Sequence, residues 1–252
     1  MIEEWIVKEP KNGPVRYALL ALAGRYNSAR LMMQVAEDFQ LPNTVLVAIQ
    51  PYGLAWYPQP FSATDQKEAV QGLPVARSAC MKLLGRISKA YRLSHKKIAV
   101  VGFSAGGVMA LQMATHASKP FGGAVSMSGA ILEPIKVPQA PKSHTPIMLV
   151  HNFDDGCFDW YERYLPMKIS LLRRGYNVIT KESRYGGHRI TAGDIIEASR
   201  FFADSLGIED WEHPRLTAYK SWQEQEQERE RRQRIQDEEE EEEEEDDDDD
   251  ES

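Results

Sequence analysis

Gly102-Phe103-Ser104-Ala105-Gly106 sets a serine midway between two glycines. The apolar run Ile98-Ala99-Val100-Val101 precedes it, and a helix-forming run from Ala105 to His116 follows. A serine on a sharp strand-to-helix turn is a nucleophile motif. The turn lifts the hydroxyl out of the sheet edge, where a Cβ on either glycine would collide with the backbone. The helix N-terminus beside it offers free N–H groups and a positive dipole end to a developing oxyanion. A serine hydroxyl is too weak an acid to attack a carbonyl unaided, so it needs a base within reach and a third group to fix that base's tautomer.

Where a serine sits on such a strand–turn–helix elbow, the acid follows it along the chain and the histidine follows the acid. Of six histidines, His95 precedes the serine, His116 lies in the helix after it, and His213 lies close to a charged C-terminal stretch. Tyr185-Gly186-Gly187-His188 falls between a predicted strand and a predicted helix, in a glycine turn able to bring an imidazole over the elbow. His188 is therefore preferred to His144 and His151 as the base. For the acid, the apolar run Ile147-Met148-Leu149-Val150 leads into Asp154-Asp155. Spacing from the strand end leaves either carboxylate open.

The elements that must position these residues are legible as short apolar runs between amphipathic stretches, the pattern of a mostly parallel sheet with helices on both faces. Strands are predicted at Arg16–Ala23, Thr44–Gln50, Lys97–Phe103, Gly123–Ser128, Ile147–His151 and Asn177–Ser183. Helices are predicted at Ser28–Phe39, Ala105–His116, Asp159–Arg174 and Thr191–Leu206, with a longer one over Asp65–Leu93 interrupted near Gly72-Leu73-Pro74. Four prolines between Glu133 and Pro146 predict a loop too short for a cap domain.

These motifs together resemble the phospholipase/carboxylesterase family of α/β-hydrolases, which includes acyl-protein thioesterases and bacterial carboxylesterases, over roughly Val15 to Leu206. Its nucleophile motif is similar to Gly102–Gly107, its acid motif to His151-Asn152-Phe153-Asp154-Asp155, and its histidine motif to Gly187-His188-Arg189-Ile190. The resemblance implies a Ser104, Asp155, His188 triad and selects Asp155 from the pair. It implies oxyanion donors at the backbone N–H groups of Arg25 and Ala105, and it matches Trp56-Tyr57 to a family aromatic pair. Three positions depart from the pattern: Ala23-Gly24-Arg25 stands where the family has His-Gly, Ala105 where thioesterases carry Gln, and Asn152 where the acid motif has Gly. The expected function is hydrolysis of esters or thioesters with short to medium acyl chains, in an open site lined by Trp56, Tyr57 and Phe158. The rival expectation is a non-catalytic binding protein on the same fold.

Composition narrows the partners. The formal charge of −8 divides unevenly: residues 221–252 hold 19 acids and 4 arginines, while residues 1–220 hold 26 basic and 19 acidic side chains. A body of +7 with no concentrated Lys/Arg stripe, tethered to a tail of −15, is a poor nucleic-acid binder. The expected organisation is a catalytic domain over 1–210, a charged linker over 211–236 and a disordered acidic tail over 237–252. The tail is expected to act as a solvated brush, or to contact the basic body or a basic partner. No apolar run approaches the ~20 residues of a membrane span. Two cysteines, Cys80 and Cys157, match no disulfide framework or zinc spacing. The expectation is a cytoplasmic protein without metal or cofactor, acting on a small acyl substrate.

Overall fold

The computed structural model describes residues 2–58, 71–132, 137–225, 227–229 and 231–232. The chain divides into two compact units, Met1–His213 and Pro214–Ser252. In the first, seven strands form one sheet: β1 (Ile2–Lys8), β2 (Tyr17–Leu22), β3 (Thr44–Pro51), β4 (Ile98–Phe103), β5 (Gly123–Met127), β6 (Ile147–Asn152) and β7 (Val178–Ser183). Their order is β1-β3-β2-β4-β5-β6-β7. β1 pairs antiparallel with β3, and every other pairing is parallel.

The central strands are buried on both faces, which is why they read as continuous apolar runs rather than alternating ones. In β2, Leu20 and Leu22 face one core with Val45, Val47 and Ile49, while Leu19 and Ala21 face a second core with Val101 and Val125. The first core is covered by α2 (Leu73–Ala90), α3 (Ala105–His116) and α4 (Leu165–Arg173). The second is covered by α1 (Ala29–Asp38) and α5 (Ala192–Leu206), where Phe39 and Phe202 meet at 5.6 Å between ring centroids. Complete burial of each such Leu, Ile or Phe contributes roughly 1.5–3 kcal/mol.

Helix ends follow local chemistry. The Ser28 side chain accepts from Leu31 N–H to start α1, and Thr191 with Asp194 forms a capping box at α5. α5 stops at Gly207, which adopts the left-handed conformation at φ 69°. Pro74 and Pro166 lie in the first turns of α2 and α4, where a missing N–H is harmless. Of the helix predicted over 65–93, the described part runs from Leu73 to Ala90 with Pro74 in its first turn; residues 59–70 lie outside the described set. The stretch predicted as one helix from Asp159 is a wide turn of π-helix over Trp160–Tyr164 continued by α4.

β1 has no counterpart among the predicted strands. It is an edge strand with Trp5 and Val7 exposed, so its sequence lacks both the apolar run of an interior strand and a clean alternation. Between β5 and β6 the described residues form no helix, strand or cap domain; 133–136 lie outside the described set. No helix among the described residues is long and apolar enough to cross a membrane. In the second unit, residues 216–225 are helical, and Tyr219 stacks on Trp222. The acidic run from Asp237 lies outside the described residues.

Candidate active site

The site is assembled at the carboxyl ends of β4, β6 and β7, where parallel strands deliver their loops to one rim. Ser104 links β4 to α3 with φ 55° and ψ −117°, a conformation that costs a non-glycine residue about 1–3 kcal/mol. The turn is locked from both sides. A Cβ on Gly102 would stand 2.0 Å from Gly106 O, and one on Gly106 would stand 2.1 Å from Leu22 O. Ser104 N–H donates to Met127 O at 2.9 Å, and Ser104 O accepts from Val108 N–H at 3.0 Å, which ties the bend to β5 and to the first turn of α3.

Ser104 Oγ lies 2.9 Å from His188 Nε2. On the far side of the ring, His188 Nδ1 lies 2.9 Å from Asp155 Oδ2 and 3.0 Å from Oδ1. A carboxylate facing Nδ1 fixes the proton there, so Nε2 is left to accept from the serine hydroxyl. The Asp155 side chain is fully buried, and that of His188 is 21% exposed. Asp155 Oδ1 also accepts from the backbone N–H groups of Cys157 (2.8 Å) and Phe158 (3.0 Å). Burial opposes ionisation of this carboxyl; the bonds from His188, then from Phe158 and Cys157, outweigh it and hold its pKa below the ordinary carboxylate range. The rings of Phe103 and Phe158 flank the imidazole at 4.9 and 5.9 Å.

The two carboxylates that spacing left open have separate partners. Asp155 faces His188, whereas Asp154 accepts from the backbone N–H groups of Gly187 (2.7 Å) and Gly186 (3.3 Å). The competing histidines lie elsewhere in hydrogen bonding. His151 is buried, stacks on Tyr164 at 4.4 Å, and donates from Nε2 to Phe158 O at 2.8 Å; burial lowers its pKa despite the nearby Asp155. His144 is exposed. The His213 ring lies 2.9 Å from Asp38 O.

Around the elbow, Ala105 is the first residue of α3, and the Ala23-Gly24-Arg25 segment abuts the end of β4: a Cβ on Gly24 would lie 3.2 Å from Phe103 O. Trp56 and Tyr57 brace that segment. Trp56 Nε1 donates to Ala23 O at 2.7 Å; Arg25 Nη2 donates to Tyr57 O at 2.6 Å, with the guanidinium 4.9 Å from the Tyr57 ring. Both aromatics are buried, as is Phe158. Burial raises the Tyr57 phenol to about 12, against the lowering effect of Arg25. Trp56 and Tyr57 line an open recess of about 360 Å³ with Tyr52, Ala55, Pro58, Gly72 and Val75. Among the described residues, the one group of three ligand-type side chains within 4.8 Å of one another is Asp155, Cys157 and His188, two of which already pair together.

Set against known proteins, residues 42–204 match the sequence pattern of the phospholipase/carboxylesterase family. The chain belongs to the phospholipase/carboxylesterase family. Membership makes it a carboxylic ester hydrolase. Three solved structures have the same fold as this family member. Esterase PE8 is 20% identical, with a TM-score of 0.70 over 80% of this chain and 98% of that one. A phospholipase/carboxylesterase from Dyadobacter fermentans is 19% identical, with a TM-score of 0.68 over 79% and 95%. Zea mays acyl-protein thioesterase 2 is 20% identical, with a TM-score of 0.64 over 81% and 99%.

Sequence reasoning missed the Asp154 and Asn152 contacts to the glycine turn and the brace from Trp56 to Ala23. The only signal for the first was the doubling of the carboxylates and the Asn in place of Gly. The brace joins residues 33 apart and has no local pattern.

Proposed function

We propose that the chain cleaves carboxylic esters or thioesters of short to medium acyl chains in two steps. His188 Nε2 takes the proton as Ser104 Oγ attacks the carbonyl carbon; the tetrahedral oxyanion lies against the backbone N–H groups of Arg25 and Ala105. His188 returns the proton to the leaving alcohol or thiol, which leaves an acyl-Ser104 ester. Water deprotonated by the same nitrogen then releases the acid and restores the hydroxyl. Asp155 stays ionised throughout, holding the ring and balancing the imidazolium.

The observation carrying this reading is the unbroken chain of hydrogen bonds from Ser104 Oγ through both ring nitrogens of His188 to Asp155. Arg25 braces Tyr57 in the wall of the recess beside Trp56. Phe158, buried behind the imidazole, contributes through the ring's position. Ser104→Ala tests the reading: hydrolysis of p-nitrophenyl butyrate is expected to fall by at least ~10³-fold with the fold intact. Undiminished turnover in the purified variant contradicts it.

A further inference from the structure

The turn that carries His188 is chemically odd. Residues 184–191 between β7 and α5 have no helix or strand, and Gly186 and Gly187, both at positive φ (151° and 60°), stand immediately before the histidine. Glycines in such a loop leave the backbone many conformations to choose from. The loop's ends are anchored, by the Thr191–Asp194 capping box and by Lys181 Nζ, which donates to the buried Asp194 carboxylate at 2.6 Å. Those anchors lie several residues from the ring.

The middle is held from the neighbouring loop instead. Asn152 Nδ2 donates to Gly187 O at 2.9 Å, and Asp154 accepts from Gly187 N–H at 2.7 Å and Gly186 N–H at 3.3 Å. Both peptide groups of Gly187 are thus grasped by side chains at the end of β6. Asn152 also fills the space over Gly186, where a Cβ would lie 2.6 Å from its Nδ2. Asn152 is itself buried, and its Oδ1 has no hydrogen-bond partner among the described residues. A buried amide that leaves one end unsatisfied is unfavourable for stability alone.

We propose that Asn152 and Asp154 are positioning residues for acyl transfer: together they clamp the Gly186-Gly187 turn and so fix the His188 imidazole between Asp155 and Ser104. The loop that supplies the acid thereby also sets where the base stands, and the two halves of the proton relay move as one body. The inference rests on the acyl-transfer reading of the site. A displacement of about 1 Å at a catalytic group lowers rates by up to about 10²-fold without altering what the substrate touches, so the clamp acts on kcat and spares KM.

The test uses the full chain with Asp154→Ala, Asp154→Asn, Asn152→Gly and the double variant Asn152→Gly/Asp154→Ala. Two readouts are taken: steady-state hydrolysis of p-nitrophenyl butyrate, and the low-field proton resonance of His188 Nδ1–H in its bond to Asp155. Asp154→Ala is expected to lower kcat about tenfold with KM within about twofold, and the double variant about a hundredfold. Asp154→Asn, whose amide oxygen still accepts from Gly187 N–H, is expected to retain most of the activity. The low-field resonance is expected to broaden or vanish in the double variant. Asp154 is exposed, so the Ala and Asn pair carries the comparison even where Asn152→Gly impairs folding. Wild-type kcat and an intact resonance in Asp154→Ala and in the double variant overturn the clamp. Equal losses in Asp154→Ala and Asp154→Asn with the resonance unchanged overturn it too. A wild type that binds but never hydrolyses the ester, while the double variant loses the resonance, leaves the clamp standing and sinks the acyl-transfer reading instead.

Discussion

The serine and the histidine of this site are held by opposite means. At the elbow, position is enforced by sterics: two backbone segments pass so close to Gly102 and Gly106 that no side chain fits, and Ser104 between them is held in a strained conformation. At the histidine turn, position is enforced by polar side chains reaching across from another loop: Asp155 to the ring, Asp154 and Asn152 to the glycines before it. A sterically determined serine turn tolerates no added atom. A hydrogen-bonded histidine turn tolerates changes in graded steps.

The contrast can be broken most severely at the acid. Asp155→Asn leaves a side chain of the same shape but presents the wrong hydrogen-bonding partner to Nδ1, and kcat for ester hydrolysis is expected to fall about 10⁴-fold. The same variant tests the electrostatics. Because the folded state holds the Asp155 pKa below its unfolded value, the carboxylate contributes stability at pH values above the unfolded carboxylate range, and that stability is lost as pH falls through the folded pKa. Unfolding followed from pH 7 downward should therefore show a shallower acid destabilisation in Asp155→Asn than in wild type.

Next in size is a methyl group at the elbow. Gly102→Ala places a Cβ 2.0 Å from a backbone oxygen with no flexible atom to yield, so a loss of about 3 kcal/mol or more is expected in denaturant titration. An equally stable, active variant removes the steric account. Smaller again is Trp56→Phe, which keeps the apolar body but deletes the bond to Ala23 O. Stability should fall by about 1–2 kcal/mol, with a several-fold loss in kcat from the loosened Arg25 segment. The smallest effect is expected from removing residues after Ser221. If the acidic run is a solvated brush, kinetics on a neutral ester at low and high salt should match those of the full chain within about twofold.

This division also explains what could be read in advance. Of the six parallel strands, β2 to β6 were legible because strands buried on both faces must be apolar throughout, and the Gly-x-Ser-x-Gly turn because its serine and two glycines fall within five residues. β1 was not legible: half exposed at the sheet edge, Trp5 and Val7 carry no burial signature. The choice between Asp154 and Asp155 was not settled by local spacing, since both sit at the same strand end and differ only in which part of a turn about 33 residues away they meet. The polar clamp at Asn152 was invisible for the same reason: its partner is a backbone carbonyl, and every residue offers one.

The central claim, that His188 makes the Ser104 hydroxyl reactive, is tested most directly by labelling with a fluorophosphonate probe followed by peptide mapping. The predicted result is one adduct, on Ser104, absent from Ser104→Ala and strongly slowed in His188→Ala. A wild-type protein that resists the probe, or an adduct that forms at the same rate without His188, would contradict it.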